Sequence, residues 1–498
     1  MRLDPLSIPY RAIQGGLQFV IGIVVFGVAG SGSVGGAEGL AVFGLVVIAG
    51  IALALGWQVA YYRRFEYRLT EDTFDIDSGV LSRREREIPY GRIQNVDIAQ
   101  NVIQRVLGIA EVRLETAGGG ESEAQLRYVS REEAERLQEA ISRKKRDETD
   151  ESEDESAEAT APESTPLFEI TPKELAVLGV VSMDPRLLSL LALPLSFAGP
   201  SVFADLLPAS GSPLWIVLPL ALVGVLVATA AVSGVLAIAR YYDFRLTETD
   251  DEFRYERGLL QRYSGSIPKS KVQTLSLTEN VLARRLGYAS LAIETAGHVA
   301  TNGGGGSQSA IPIAERDRVT DLVRRIEPIG ELTFERPPKR ARRRYAGRYA
   351  IALSIVVAVA YGVVSLTELS GPWWALLALA PLVPVAAHLK WRHRGYHVEA
   401  GHVVTRNGFW SREIAVVPAY RIQTVASSAT VFQRRWDLST VVIDTAGSNR
   451  LSGSNPMAVD IDAETADRLR EQLADDLQTA LRTDRARRAE RRDFDAAT

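Results

Sequence analysis

Six apolar blocks, at residues 13–30, 40–61, 187–207, 214–239, 349–366 and 373–389, constrain this chain more than any other feature. Crossing the hydrocarbon core of a bilayer takes about 20 mostly apolar residues in a helix, and each block is near that length. They come in three pairs with only a few residues inside each pair, so the expectation is six transmembrane helices in three hairpins. The third block is interrupted by Pro194, Pro200 and Asp205, which leaves open whether it crosses fully. The first 16 residues, MRLDPLSIPYRAIQGG, have no long cationic region and no small-residue cleavage site. The first block therefore reads as a retained span rather than a signal peptide.

Charge orients the hairpins, because lysine and arginine near spans are held on the cytoplasmic side. The tips at 31–38, 208–213 and 367–371 contain neither residue, whereas the opposite ends carry Arg2, Arg11, Arg63, Arg64, Arg240, Lys390, Arg392 and Arg394. Both termini and every large polar segment are expected on the cytoplasmic face of the cell membrane. The net charge of −4 also misleads, since residues 147–164 alone hold nine carboxylates and no cation, leaving the rest of the chain mildly basic. That stretch has almost nothing apolar to bury and reads as a disordered linker. The absence of cysteine excludes disulfides, thiolate metal sites and thiol nucleophiles.

The polar segments after the three hairpins are one domain written three times. Gly79, Gly258 and Gly408 each precede a proline by ten residues (Pro89, Pro268, Pro418) and a threonine by 37 (Thr116, Thr295, Thr445). Segments such as VRLET, LAIET and VVIDT alternate apolar and polar residues, the period of half-buried strands. The glycines suit turns, where a positive φ costs them little, and the prolines suit the first residue of a strand or a sheet edge. A short helix is expected over NVIQRVLG and NVLARRLG, and a closing helix at 130–141, 314–326 and 462–473. Each unit thus reads as a small barrel or sandwich of short strands closed by one C-terminal helix.

The paired spans, the glycine turn, the IPYGRIQNV, IPKSKVQTL and VPAYRIQTV segments, the short helix and the ETAG or DTAG strand end together resemble the bacterial pleckstrin-homology-like (PH-like) membrane proteins of the YdbS and YdbT type. The resemblance covers nearly the whole chain apart from the acidic linker and the C-terminal tail. It implies a PH-like barrel with a C-terminal helix for each soluble domain, and a binding or scaffolding role without an enzymatic reaction. The third copy departs at Ala429, Thr430 and Asp437, where the others have Gln100 or Glu279, Asn101 or Asn280, and Gly108 or Gly287. The expected organisation is a hairpin at 1–61, a PH-like domain at 62–145, the acidic linker at 146–166, a hairpin at 167–240 and a domain at 241–328. A basic juxtamembrane linker at 329–348, a hairpin at 349–390, a domain at 391–480 and a charged tail at 481–498 complete it.

Catalytic patterns are scarce. The glycines Gly30, Gly32 and Gly35 match a dinucleotide fingerprint but sit on a hairpin tip, without the strand and helix such a site needs. The NGGGG run at 302–306 lacks a following lysine and reads as a flexible loop. Of the clustered His388, His393, His397 and His402, the 393/397 spacing suits a metal on a helix face, yet His397 aligns with the strand residues Arg68 and Arg245. No metal and no cofactor are expected. Two positions recur with chemistry, a cation at Arg92, Lys271 and Arg421 and an amide at Gln94, Gln273 and Gln423. On a strand, residues two apart share a face, so each pair is a candidate grip for a lipid phosphate. The alternative is a structural role at a barrel edge, or pairing with Glu115, Glu294 and Asp444.

The sequence therefore points to a non-enzymatic membrane-surface binding or assembly scaffold. Its expected partners are membrane lipids, with a membrane-protein partner or self-association open and nucleic acid not expected. A component of a membrane transport or export system is the second reading. Transporters keep ionisable groups within their spans, and among acidic residues and lysine or arginine these blocks offer Asp205, near an outer end, with Gln14 and Gln18 as polar residues.

Overall fold

The computed structural model describes residues 1, 3–11, 14, 37–116, 124–147, 165–182, 214–295, 309–366, 372–399, 401–446 and 455–495. They form two units, one of residues 1–165 with 247–269 and one of 166–246 with 270–498.

Long apolar runs become helices because a backbone in lipid must satisfy its own hydrogen bonds. Block 40–61 lies in α1 (Ala37–Arg64), block 214–239 in α5 (Leu214–Tyr241) and block 349–366 in α8 (Lys339–Leu366). The last block begins as a 3-10 run (Trp373–Leu379) and continues as α9 (Leu382–Arg392). Among the described residues three helices are long and apolar enough to span, within Val223–Tyr241, Lys339–Leu366 and Trp373–Arg392. Block 187–207 and all of block 13–30 but Gln14 lie outside the described residues, as do most side chains at the start of block 40–61, so three of the six expected spans are seen among the described residues.

In the first unit, β1 (Glu66–Leu69), β2 (Thr73–Ser78) and β3 (Arg84–Pro89) form an antiparallel meander, followed by a second one of β4 (Ile93–Asn101), β5 (Ile109–Thr116) and β6 (Ala124–Ser130). The alternating residues Phe74, Ile76, Ile88, Val96, Ile98, Val112 and Leu114 meet in one core. Leu137 and Ile141 of the closing helix α3 (Arg131–Asp147), four apart on one helix face, complete it. The second unit ends the same way, with β14 (Gly395–Glu399), β15 (His402–Asn407) and β16 (Ser411–Pro418), then β17 (Ile422–Ser428), β18 (Leu438–Thr445) and β19 (Met457–Asp462). There Val403, Val417, Val441, Ile443 and Ile461 pack on Leu469 and Leu473 of α11 (Ala463–Asp495). The middle repeat contributes β8 (Arg245–Glu248), β9 (Glu252–Arg257) and β10 (Gln261–Pro268), then β11 (Val272–Asn280), β12 (Tyr288–Thr295) and β13 (Ser309–Glu315), closed by α7 (Arg316–Ile326).

Two expectations are corrected. The sheets do not close into barrels: β4 gives its free edge to β10, and β11 gives its edge to β16, so the hydrogen bonds that would close one repeat join it to the next. Pro89, Pro268 and Pro418 do not open strands but end them, Pro89 on the sheet-edge strand β3. Each leads into a single 3-10 turn (Tyr90–Arg92, Lys269–Lys271, Ala419–Arg421).

The repeat also includes an arm before each hairpin. Met1 exchanges backbone hydrogen bonds with Tyr67, Ile170 donates to the carbonyl of Phe244, and Glu335 exchanges with Tyr396, so each arm lengthens the first sheet of its repeat. In the middle repeat the arm is β7 (Thr165–Glu169), followed by α4 (Pro172–Val181), where a hairpin was expected to begin. Thr171 accepts from the backbone of Glu174, whose carboxylate accepts from the backbone of Thr171, a reciprocal N-cap. The acidic segment 148–164 lies outside the described residues.

Candidate membrane-facing site

Each repeat has two ends. In the first, α1 runs directly into β1, and Arg64 Nη1 donates to the carbonyl of Val80 at 2.7 Å, which fixes the β2–β3 turn beside the hairpin. Strand β3 leaves from this end and β4 returns to it, where Asn101 Nδ2 donates to the Tyr10 hydroxyl. The far end holds the β1–β2 turn and the 3-10 turn, joined by Tyr90, whose hydroxyl donates to the Thr70 carbonyl at 3.0 Å. In the third repeat the 3-10 turn is likewise tied to the β14–β15 turn, Ala419 N donating to the Gly401 carbonyl at 2.8 Å.

Arg92, Lys271 and Arg421 each end a 3-10 turn, and Gln94, Gln273 and Gln423 are the second residues of β4, β11 and β17. The strand argument that put cation and amide on one face does not apply, because the cation precedes the strand. In repeats 1 and 3 the turn is at the end away from the hairpin. Gln273 is buried and donates to the Lys271 carbonyl at 3.3 Å, Gln423 is exposed, and Arg421 lies 4.8 Å over the Tyr420 ring. The side chain of Gln94 is outside the described residues.

The hairpin end carries two recurring devices. The first is the glycine turn: Gly79 and Gly408 have φ of 115° and 90°, and a Cβ on either would stand 1.9 Å from the carbonyl oxygen of Ser82 or Ser411. The turn pushes the following side chains into solvent, Leu81 at 89% exposure and Trp410 at 78%, with Leu260 exposed in the middle repeat. The second is a short helix, α2 (Val102–Val106), α6 (Val281–Leu286) or α10 (Val431–Arg434). Each exposes apolar side chains, Val106 at 82%, Leu286 at 48% and Phe432 at 72%.

The third repeat keeps this helix despite its departures. Thr430 accepts from Gln433 N at 3.3 Å and so does the work of Asn101 and Asn280, and Asp437 takes the left-handed φ (55°) of Gly108 and Gly287. Aspartate tolerates that region better than most side chains.

Arginines lie among these apolar groups. Arg105 Nη2 donates to the Leu259 carbonyl at 2.9 Å and Arg284 Nη2 to the Phe409 carbonyl at 3.1 Å, so a short helix is bound to the glycine turn of the next repeat. At the β11–β16 joint, buried Glu279 accepts from Arg412 and sits 3.2 Å from Arg316 Nε. Arg406 is half-buried over the Phe334 ring at 4.2 Å. Burial, and then the nearby Arg412, Arg336 and Arg316, push its guanidinium down to about 10. Such an excess of guanidinium over carboxylate suits a phosphate, which arginine grips through paired N–H donors. Sequence reading missed it because Arg316 belongs to the second repeat and Arg406 and Arg412 to the third, and they meet only through strand pairing.

The third hairpin is braced by Asp460, 2% exposed, with φ of 57°. It accepts from Arg344, from the Tyr345 hydroxyl at 2.6 Å, from Arg394 at 3.0 Å and from Gln433 Nε2 at 2.8 Å. The base of α8, the strand entry and the short helix therefore converge on one carboxylate. The histidines are engaged separately, His393 Nδ1 with the Leu389 carbonyl at 2.8 Å and His402 with Glu327 at 3.0 Å. Among the described residues no three histidine or carboxylate side chains are grouped to hold a metal. The glycines at 30, 32 and 35 and the run 302–306 lie outside the described residues.

Two three-stranded meanders and a closing helix, repeated three times, with long apolar helices between them, define a membrane protein built of PH-like domains. A family model of the bacterial PH domain matches residues 20–145, 202–328 and 350–477, and the chain belongs to that family. It is similar to the UPF0699 transmembrane protein YdbT of Bacillus subtilis (strain 168), with 27% identity over 432 residues, covering 80% of this chain and 85% of that protein.

Proposed function

We propose that this protein is a non-enzymatic scaffold on the cytoplasmic face of the cell membrane, whose hairpins anchor PH-like domains that rest on lipid head groups through their hairpin ends. The observation that carries this reading is the recurrence, at that end, of exposed apolar side chains on a glycine turn and a short helix with arginines beside them. Aromatic and aliphatic groups enter the interfacial layer of a bilayer, and a cation near an anionic surface adds about 1 kcal/mol. Each contact is weak, but three domains on one chain engage together. The lack of lysine and arginine at the hairpin tips supports the cytoplasmic placement.

The test uses the cysteine-free chain in vesicles containing anionic lipid. An environment-sensitive dye on Leu81→Cys, Leu260→Cys or Trp410→Cys is expected to shift to the blue and to be quenched by spin-labelled lipid. The same dye on Arg92→Cys or Arg421→Cys is expected to stay in water. Quenching at the second pair alone would return the lipid contact to the recurring cations and remove the reading argued here.

A further inference from the structure

Consecutive repeats are joined by the same strand pairing both times. Strand β10 runs antiparallel to β4 with Gln261 opposite Asn101 and Ser264 opposite Ile98. Strand β16 runs antiparallel to β11 with Ser411 opposite Asn280 and Ile414 opposite Leu277. In both, the residue three after the turn glycine meets the residue that caps the short helix, and the residue six after it meets an aliphatic. The three repeats described make two such joints and leave β3 and β17 outside them, each at the edge of its sheet. Among the described strands neither has a second neighbour.

The two edges are not alike. On β3 the positions that would face the aliphatics hold Glu85 and Glu87, where β10 has Ser264 and Ser266 and β16 has Ile414 and Val416. At the existing joints Ser266, Ile414 and Val416 are buried. Pairing β3 in the same way would carry two carboxylates into a buried strip, at a high desolvation cost, and inward-pointing charge is a known means of keeping an edge from pairing. Strand β17 has no such guard. It reads IQTVASS, without charge or proline. Its Ala426 is exposed and its Val425 and Ser427 only half-buried, whereas their counterparts Ser276, Leu275 and Leu277 in the paired strand β11 are all buried.

We propose that β17 is the docking edge for a separate protein carrying a PH-like domain, which adds the strand following its own glycine turn antiparallel to β17, with Ser427 opposite the residue six after that glycine. The partner strand carries small or β-branched residues at the positions of Glu85 and Glu87, which excludes a second copy of this chain. The proposal rests on strand topology and is independent of the lipid reading.

The probe is a labelled peptide with the sequence of residues 407–418, NGFWSREIAVVP, offered to the full-length protein in detergent. Saturable binding is expected, weakened at least tenfold by Ser427→Glu and by glutamate at the peptide positions of Ile414 and Val416. Thermal melting of Ser427→Glu shows whether the third repeat remains folded. A second variant leaves that repeat untouched: Glu85→Ser with Glu87→Ser gives β3 the residues of β10, and is expected to turn a chain that does not self-associate into one that does so with rising concentration, in light scattering. Failure of both the peptide and the serine variant overturns the proposal. So does wild-type self-association that Ser427→Glu abolishes, because the occupant is then a second copy.

Discussion

At the scale of single residues, the carboxylate of Asp460 carries more of the structure than its neighbours. Removing one partner of a buried charge network leaves the others uncompensated, at about 3 to 5 kcal/mol. Asp460→Ala strands Arg344, Arg394 and the Tyr345 hydroxyl together, so thermal unfolding in detergent should show the third repeat losing several degrees or failing to fold. Glu294 gives a prediction with a sign. Its burial, with the carboxyl of Glu413 close by, pushes it up to about 7. Between the ordinary carboxylate value and 7 the folded chain keeps a proton that the unfolded chain has released. Stability is then greatest at the acid side of that window and falls as pH rises through it, by roughly 3 kcal/mol at most. Melting temperature should drop from pH 5 to pH 8 in the wild type, and Glu294→Gln should flatten that part of the profile.

At the scale of elements, α4 is held at its N-terminus by the reciprocal contacts of Thr171 and Glu174, and Arg318 adds an ion pair to Glu174 at 3.2 Å. Losing such a cap costs about 1 kcal/mol. Thr171→Ala should lower the melting temperature by a few degrees while Thr171→Ser restores it, and an unchanged melting temperature would mean that tertiary packing alone holds α4. The TPKE pattern of a capping box is legible in the sequence, yet the longer apolar block after it makes the segment look like the start of a hairpin. The short helices show the converse. The third has both its cap and its glycine replaced, and it persists because threonine caps and aspartate accepts a left-handed φ.

At the scale of the whole molecule, the proposed topology rests on the charge of the hairpin ends and is open to a direct test. Cysteines introduced at Ser33, Ser210 and Ser370 should label with an impermeant thiol reagent in intact cells, and those at Ser130, Ser307 and Ser454 should not; labelling of the second group would invert the orientation. Deleting residues 147–164 should leave both neighbouring domains folded, as judged by melting and by recovery of membrane-inserted protein, because the stretch offers no apolar surface to a core. Loss of inserted protein would give that stretch a structural part.

By itself the sequence determined the threefold repeat, the strand-rich domain closed by a helix, the turn glycines and the apolar blocks, because each is local: a period, a spacing or a run of one residue class. Tertiary structure alone decided what the edges of those strands do. Whether β4 closes on its own repeat or pairs with β10 depends on hydrogen bonds between residues some 160 positions apart, Asn101 and Gln261 among them, and no periodicity records a partner at that distance. The equivalent pairing of β11 with β16 gathers Arg316, Arg406 and Arg412, and the direction of β3 and β4 between their two turns sends Arg92 away from the hairpin. Recurrence marked Arg92, Lys271 and Arg421 as alike, but which end of its domain each turn occupies is a property of strand direction, which spacing does not encode.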